Sequence, residues 1–210
     1  ILPPGEDDPV PDLSKDQLPA DEVINDEEAT DISAPAGLSQ EQLQAALEPR
    51  ILGDPEAPIR ISEHSSFTCS HCGHFHKTTF RELKADYISQ GKAYYIFSDF
   101  PLNAPALHAS MVARCLPKEN FFDFVGLLFT SQQSWAYDKN YKTYLKQNSA
   151  DYGLSEEMFE ACISSQDLRQ GIIDMTETIK NQWKVNATPT FVINNKLVVP
   201  GALPYSEFKK

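Results

Sequence analysis

Ile59-Arg60-Ile61-Ser62-Glu63-His64-Ser65-Ser66-Phe67-Thr68-Cys69-Ser70-His71-Cys72 decides the fold: an apolar-to-polar strand pattern, Ile59–Glu63 at its core, runs straight into two thiols at the head of a helical pattern. If Cys69 opens that helix, the i, i+3 spacing sets Cys72 on the same face one turn later, within bridging reach. The unpaired amides and positive dipole end of the first turn then favour a thiolate at Cys69, and an imidazole at His71 adds to the effect. Cys69 is the expected attacking sulfur. Cys72, one turn deeper, is the expected resolving thiol that closes the intramolecular disulfide. Each unit by which the thiolate pKa is lowered favours the reduced form by roughly 1.4 kcal/mol, which makes the oxidised form a better oxidant.

Zinc is the competing reading of the same residues. Cys69, Cys72, His74 and His76 give C-x-x-C-x-H-x-H, and four of the five histidines, His64, His71, His74 and His76, fall between positions 64 and 76. Two histidines two positions apart on a helix point about 200° away from each other, so His74 and His76 cannot both face one tetrahedral ion. Both read more simply as solvated residues near a helix start, whereas His71 lies inside the thiol motif.

The far end of the chain supplies context. Ala187-Thr188-Pro189-Thr190-Phe191-Val192-Ile193 is a proline followed by a β-branched and aromatic run, with a turn at Asn194-Asn195-Lys196 and a second short strand, Leu197–Val199. Proline is tolerated at the mouth of a strand, and a cis bond there is a fixed bend. Taken with Leu52-Gly53-Asp54-Pro55-Glu56-Ala57-Pro58 before the first core strand, Glu63 ahead of Cys69, Cys-x-His-Cys, Phe100-Pro101-Leu102 after the next strand and a long helical insertion, this set resembles the thioredoxin superfamily. Its closer resemblance is to the DsbA-like thiol oxidoreductases of bacterial envelopes, over about residues 50–210.

The resemblance implies a role for each matching position. Cys69 is then the nucleophile, Cys72 its buried partner and His71 the intervening residue that tunes the pair. Pro189 is the cis-proline beside the disulfide, and Thr188 is the residue whose backbone pairs with a substrate peptide by strand addition. Glu63 lies beneath the thiols, where a buried carboxylate can pass a proton; read from the strand alone, it is an ordinary charge at a strand end. Two positions depart from the pattern of strong oxidases: the dipeptide is Ser-His rather than Pro-His, and threonine precedes the proline, as in some isomerase and reductase relatives. No cofactor is implied.

The net charge of −12 is concentrated at one end. Residues 1–37 hold eleven acidic residues against Lys15 alone, six of the fifteen prolines and no aromatic residue. Such a segment cannot bury enough surface to fold and is expected to be a disordered leader, either a spacer from the inner membrane or a solubilising arm. The chain is acidic and lacks a basic aromatic patch, which excludes a nucleic-acid-binding role. No apolar run approaches the ~18 residues of a membrane span, so a soluble envelope protein with its export signal removed is expected.

Within residues 38–49, Ser39 to Leu47 reads as a short helix capped by Ser39 and stopped at Pro49, its Leu43 and Leu47 forming one stripe. Too short for a coiled coil, it is expected to dock on its own domain, consistent with a monomer. Residues 50–210 then form a single α/β unit, a thioredoxin fold with an inserted helical subdomain over about 104–184. Cys72, Phe75, Thr79, Leu83 and Tyr87 line the buried side of the helix after Cys69, and Ala93–Ser98 is the next strand. Helices follow over about 104–116, 119–131, 139–152, 155–164 and 167–184. Phe121, Phe122, Phe124, Leu127, Leu128 and Phe129 are expected mostly in the core, with Trp135 and Trp183 as packing residues; one edge of the patch could line a substrate groove. A helix-like stretch, 204–210, ends the chain, so the native terminus could lie further on.

As in some alphaproteobacterial proteins of the resembled family, Cys115 and Cys162 are expected to form a structural disulfide rather than remain free. A loop of that length contributes roughly 4 kcal/mol on the chain-entropy model, and such a bond belongs in an oxidising compartment. The function implied is donation of the Cys69–Cys72 disulfide to cysteines of unfolded exported proteins in the periplasm, followed by reoxidation at a membrane redox partner. Isomerisation or reduction with the pair held reduced is the alternative within the enzyme class, and a metal-handling module using the same thiols is the alternative outside it.

Overall fold

The computed structural model describes residues 37–209, so the expected leader lies outside the described residues except for Gly37. Helix α1 (Gln40–Leu47) begins at a capping box in which the Gln42 amide donates to Ser39 Oγ at 3.2 Å and the Ser39 amide to Gln42 Oε1 at 2.8 Å. Strand β1 (Arg50–Leu52) follows, then β2 (Ile59–Ser65), which runs two residues past the expected Glu63. After the cysteine motif come α2 (Ser70–Lys77), α3 (Thr79–Leu83) and a π-helical turn at Lys84–Ile88, then β3 (Ala93–Asp99). The helical segment comprises α4 (Ala104–Cys115), α5 (Phe121–Thr130), α6 (Gln132–Trp135), α7 (Tyr141–Ala150), α8 (Glu156–Ser164) and α9 (Gln166–Trp183). Strands β4 (Thr190–Ile193) and β5 (Leu197–Pro200) and the short α10 (Tyr205–Phe208) complete the described chain.

The sheet order is β1-β3-β2-β4-β5, with β2 and β3 parallel and every other pair antiparallel. Parallel pairing of β2 and β3 across the intervening helices is the strand–helix–strand unit expected from the cysteine motif. Strand β1 was not expected from the sequence. Three residues containing an arginine show no alternation, and the segment becomes a strand by pairing with the edge of β3.

A single helix after Cys69 was expected, and the structure breaks it. At Thr78 the backbone leaves the helix (φ −119°, ψ −88°), the hydroxyl donating to His74 O at 2.8 Å while Thr79 Oγ1 donates to Leu203 O at 2.9 Å. Adjacent β-branched residues whose hydroxyls compete for backbone carbonyls weaken a helix at that point. Cys72, Phe75, Thr79 and Leu83 are nevertheless buried, and Tyr87 is half-buried.

The main core joins the sheet to α2 and α5: Phe67, Phe75, Tyr95, Phe97, Phe121, Phe124, Leu128, Phe129, Trp135 and Phe191 are buried within it. Of the phenylalanine-rich patch, Phe122 and Leu127 remain half-buried, and Trp183 is half-buried too. A second cluster ties α1 to α4, α8 and α9 through Ala46, Leu107, Met111, Cys162, Leu168 and Ile172. Helix α1 sits so close to α9 that a Cβ on Gly171 would lie 2.7 Å from the Leu47 methyl groups. Cys115 and Cys162 are joined by a disulfide between the ends of α4 and α8.

Candidate active site

Strand β2 ends beneath the thiols and the chain turns through Ser66–Thr68 to place Cys69 as the N-cap of α2, with an extended backbone (φ −76°, ψ 121°). Its sulfur occupies the place of a capping oxygen and accepts from the Cys72 amide at 3.4 Å. Across the site the Thr188–Pro189 peptide bond is cis, and the protonated Cys69 thiol donates to Thr188 O at 3.3 Å. Residues 119 positions apart in sequence therefore meet at one sulfur.

The two thiols are free and differ in environment, Cys69 partly exposed and Cys72 fully buried. Hydrogen bonding from the Cys72 thiol, then from the Thr188 side chain and the Cys72 and His71 amides, draws Cys69 from 9.0 down to about 6 against the opposing effect of burial. Burial pushes Cys72 well above its ordinary value, and the hydrogen bond to Cys69 and the charges of Cys69 and Glu63 add to this. His71 acts on the sulfur through its backbone amide, while its side chain is exposed.

The simple readings of Glu63 and His76 are overturned. Glu63 is fully buried, and His76, expected in solvent, is 6 % exposed with Nε2 at 2.8 Å from Glu63 Oε2. Tyr95 Oη donates to the same carboxylate oxygen, leaving Glu63 Oε1 without a partner. His76 stacks on Phe129 with ring centroids 4.1 Å apart. Cys72 and His76 are i and i+4, so the face of α2 that buries one buries the other. His74 stays exposed, and the two histidines diverge, as the geometric objection to a shared ion requires. Among the described residues no three His, Cys, Asp or Glu side chains gather as a metal-ligand set. His64 is buried without a partner on either ring nitrogen, its pKa lowered to about 4 by burial and then by Arg60.

Gln132 and Tyr137, which no sequence motif marks, also reach the site: Gln132 Nε2 donates to Phe67 O and Cys69 O, each at 2.8 Å, and Tyr137 Oη donates to Thr68 O at 3.2 Å. The whole constellation is one a dithiol–disulfide exchange protein requires: an accessible, stabilised thiolate, a buried high-pKa partner one turn on, a buried carboxylate nearby and a cis-proline opposite.

A thioredoxin family model matches residues 25–210. Crystal structures of alpha-DsbA1 from Wolbachia pipientis superimpose with a TM-score of 0.72, one at 33 % identity over 77 % of this chain and 87 % of that one. The chain belongs to the thioredoxin family, on its DsbA-like branch. A Rickettsia felis protein named "Putative protein-disulfide oxidoreductase" is 31 % identical over 183 residues, 81 % of this chain and 65 % of its own. The Rickettsia typhi counterpart is 30 % identical over 145 residues, 69 % of this chain and 54 % of its own. The chain thus spans between 54 % and 65 % of the length of these relatives. BdbD from Bacillus subtilis, with a TM-score of 0.69 at 19 % identity over 77 % of this chain and 89 % of that one, shares the fold.

Proposed function

We propose that this chain is a thiol–disulfide oxidoreductase that donates the Cys69–Cys72 disulfide to cysteine pairs of exported proteins. A substrate thiolate attacks Cys69 Sγ, forming a mixed disulfide and expelling Cys72 as a thiolate. Cys72, with its raised pKa, takes up a proton that originates in solvent, and the unpartnered Oε1 side of the Glu63 carboxylate relays it through water. A second substrate thiolate attacks the substrate sulfur of the mixed disulfide and expels Cys69 as the stabilised thiolate. Two electrons pass from substrate to protein. Thr188, beside Pro189, aligns the substrate backbone, and a membrane redox partner removes the electrons again. The proposed setting is the periplasm, with the protein acting as a monomer.

The observation that carries this reading is the unlike placement of the two thiols: Cys69 Sγ at the N-cap of α2 accepts from the Cys72 amide at 3.4 Å beside the cis Thr188–Pro189 bond, while Cys72 is fully buried one turn on. Stabilising the leaving Cys69 thiolate stabilises the dithiol form and gives the disulfide its oxidising power. The test is equilibration of the Cys69–Cys72 pair with glutathione buffers, read by alkylation and mass. A strongly oxidising equilibrium supports donation, and a strongly reducing one overturns it in favour of reduction or isomerisation. Cys69→Ala is expected to abolish turnover, whereas Cys72→Ala, which retains the attacking thiol, accumulates mixed disulfides when offered substrate disulfides.

A further inference from the structure

Three consecutive carbonyls of the loop entering α2 receive hydrogen bonds from a single short stretch of the helical segment. Phe67 O and Cys69 O share the Gln132 side-chain amide, each at 2.8 Å, and Thr68 O takes the Tyr137 hydroxyl at 3.2 Å. Gln132 is 1 % exposed and Tyr137 is 64 % exposed, so the clasp is rooted in the core and closed at the surface. Helix α2 is notched to receive it: a Cβ on Gly73 would lie 2.6 Å from Gln132 Oε1. The Gly73 amide in turn donates to Cys69 O at 3.0 Å, so that carbonyl is held from both the helix and the clasp.

We infer that Gln132 and Tyr137 are positioning residues that fix the backbone around Cys69 and thereby help stabilise its thiolate. A carbonyl is the negative end of a peptide dipole, and three of them lie within two residues of Cys69 in sequence. Each donor from α6 and the turn after it offsets that negative charge and holds the carbonyl turned away, so that the Cys72 and His71 amides remain aimed at the sulfur. Without these donors the Phe67 carbonyl would be buried and unpaired and Cys69 O would keep the Gly73 amide alone, so the loop would rotate to satisfy the lost bonds. The clasp also gives the helical segment a function at the reaction centre: it covers the fold and, through two side chains, sets the ionisation of the thiol on the thioredoxin unit.

This inference rests on the proposed exchange chemistry only in taking Cys69 as the reacting sulfur, and its test separates the two. The pH titration of the Cys69 thiolate, followed by ultraviolet absorbance and by the rate of alkylation, is measured for the wild-type chain and for Gln132→Met, Gly73→Ala and Tyr137→Phe. Gln132→Met keeps the volume and removes both donors. Gly73→Ala expels the amide from the opposite side while adding a better helix former. Tyr137→Phe removes one exposed hydroxyl and leaves the core untouched. The expected result is an upward shift of the titration by roughly half a unit to one unit for the first two variants and a smaller shift in the same direction for the third. The glutathione equilibrium should move toward a weaker oxidant by the matching factor. A low wild-type pKa that is unchanged in Tyr137→Phe and in every other variant that folds overturns the clasp and leaves the exchange reading intact. A wild-type Cys69 that titrates like a free thiol overturns the exchange reading itself.

Discussion

One turn of helix separates two identical side chains and drives their chemistry apart. Cys69, at the N-cap, is bonded by the Cys72 thiol, Thr188 and two amides, whereas Cys72 is surrounded by apolar groups and by negative charge. The consequence for stability has a definite sign. A thiol whose folded pKa lies below its unfolded value stabilises the folded state above the unfolded pKa, and that stabilisation is lost as pH falls toward the folded one. For Cys69 the window runs from 9.0 down to about 6. The reduced protein should therefore gain up to about 4 kcal/mol relative to its unfolded state as pH rises through that window. Burial of Cys72 has the opposite sign, because a raised pKa costs stability only once pH exceeds the unfolded value. The oxidised protein has neither thiol and should show no such slope, so thermal unfolding of both redox forms between pH 5 and pH 9 checks the argument. Glu63 yields a second expectation at this scale. With Oε2 occupied by His76 and Tyr95 and Oε1 free, Glu63→Gln removes the proton carrier while keeping the shape. Attack by Cys72 on a mixed disulfide should slow on the order of a hundredfold near neutral pH, the low end of general acid–base contributions. Rapid-mixing measurement of the resolution step reads this directly, and an unchanged rate removes Glu63 from the mechanism.

At the level of elements, what the sequence reveals depends on whether a signal is local. Strands β2, β3 and β4 announce themselves through β-branched and aromatic runs, and the hairpin turn through Asn194-Asn195, both of which sit at positive φ (50° and 54°). The N-cap Ser39 marks the start of α1 because the capping oxygen is close in sequence to the amide it serves. Strand β1 was not legible, since it depends on a neighbouring strand, and the break at Thr78 was marked only by the Thr78-Thr79 pair, whose second hydroxyl finds its partner at the distant Leu203 carbonyl. The same division runs through the site. Cys69, Cys72 and Pro189 are visible as motifs, whereas the burial of His76 depends on the packing of α2 over Phe129, and Gln132 carries no mark at all. The disulfide between α4 and α8 is an intermediate case: two cysteines were countable, but only the fold brings them together. Closing a loop across 47 positions restricts the unfolded chain, so the double variant Cys115→Ala, Cys162→Ala should lose about 2–5 kcal/mol in denaturant unfolding. Its Cys69 titration should be unchanged, because the bridge ties α4 to α8 and supplies none of the hydrogen bonds that act on the Cys69 sulfur.

Across the whole molecule, a buried polar junction joins α1, α4 and the end of β3 alongside the apolar cluster that packs α1 on α4 and α9. Arg114, in α4, is 4 % exposed; its Nε donates to Asp99 Oδ2 at 2.5 Å, and its Nη1 donates to Ala46 O at 2.8 Å and Glu48 O at 3.2 Å. One guanidinium thus pairs with the end of β3 and caps the last carbonyls of α1, a task no basic residue within α1 performs. Arg50 closes the ring by donating to Arg114 O, and burial lowers its pKa to about 10. Such a junction specifies geometry more than it adds stability, because desolvation of the charges offsets much of their attraction. Removing one partner is a different matter. Arg114→Met leaves the buried Asp99 carboxyl without its guanidinium partner and strips α1 of its cap, and should cost about 3–5 kcal/mol. Pairing it with Asp99→Leu removes the orphaned carboxyl and should recover much of that loss, which no purely steric account of Arg114 predicts. Hydrogen exchange separates the two contributions: amides of α1 should remain deprotected in the double variant, since its cap is still missing, while those of β3 should return to wild-type protection. If α1 regains protection along with β3, the apolar contact of Leu47 with Gly171 is sufficient to dock the helix and the arginine serves the ion pair alone.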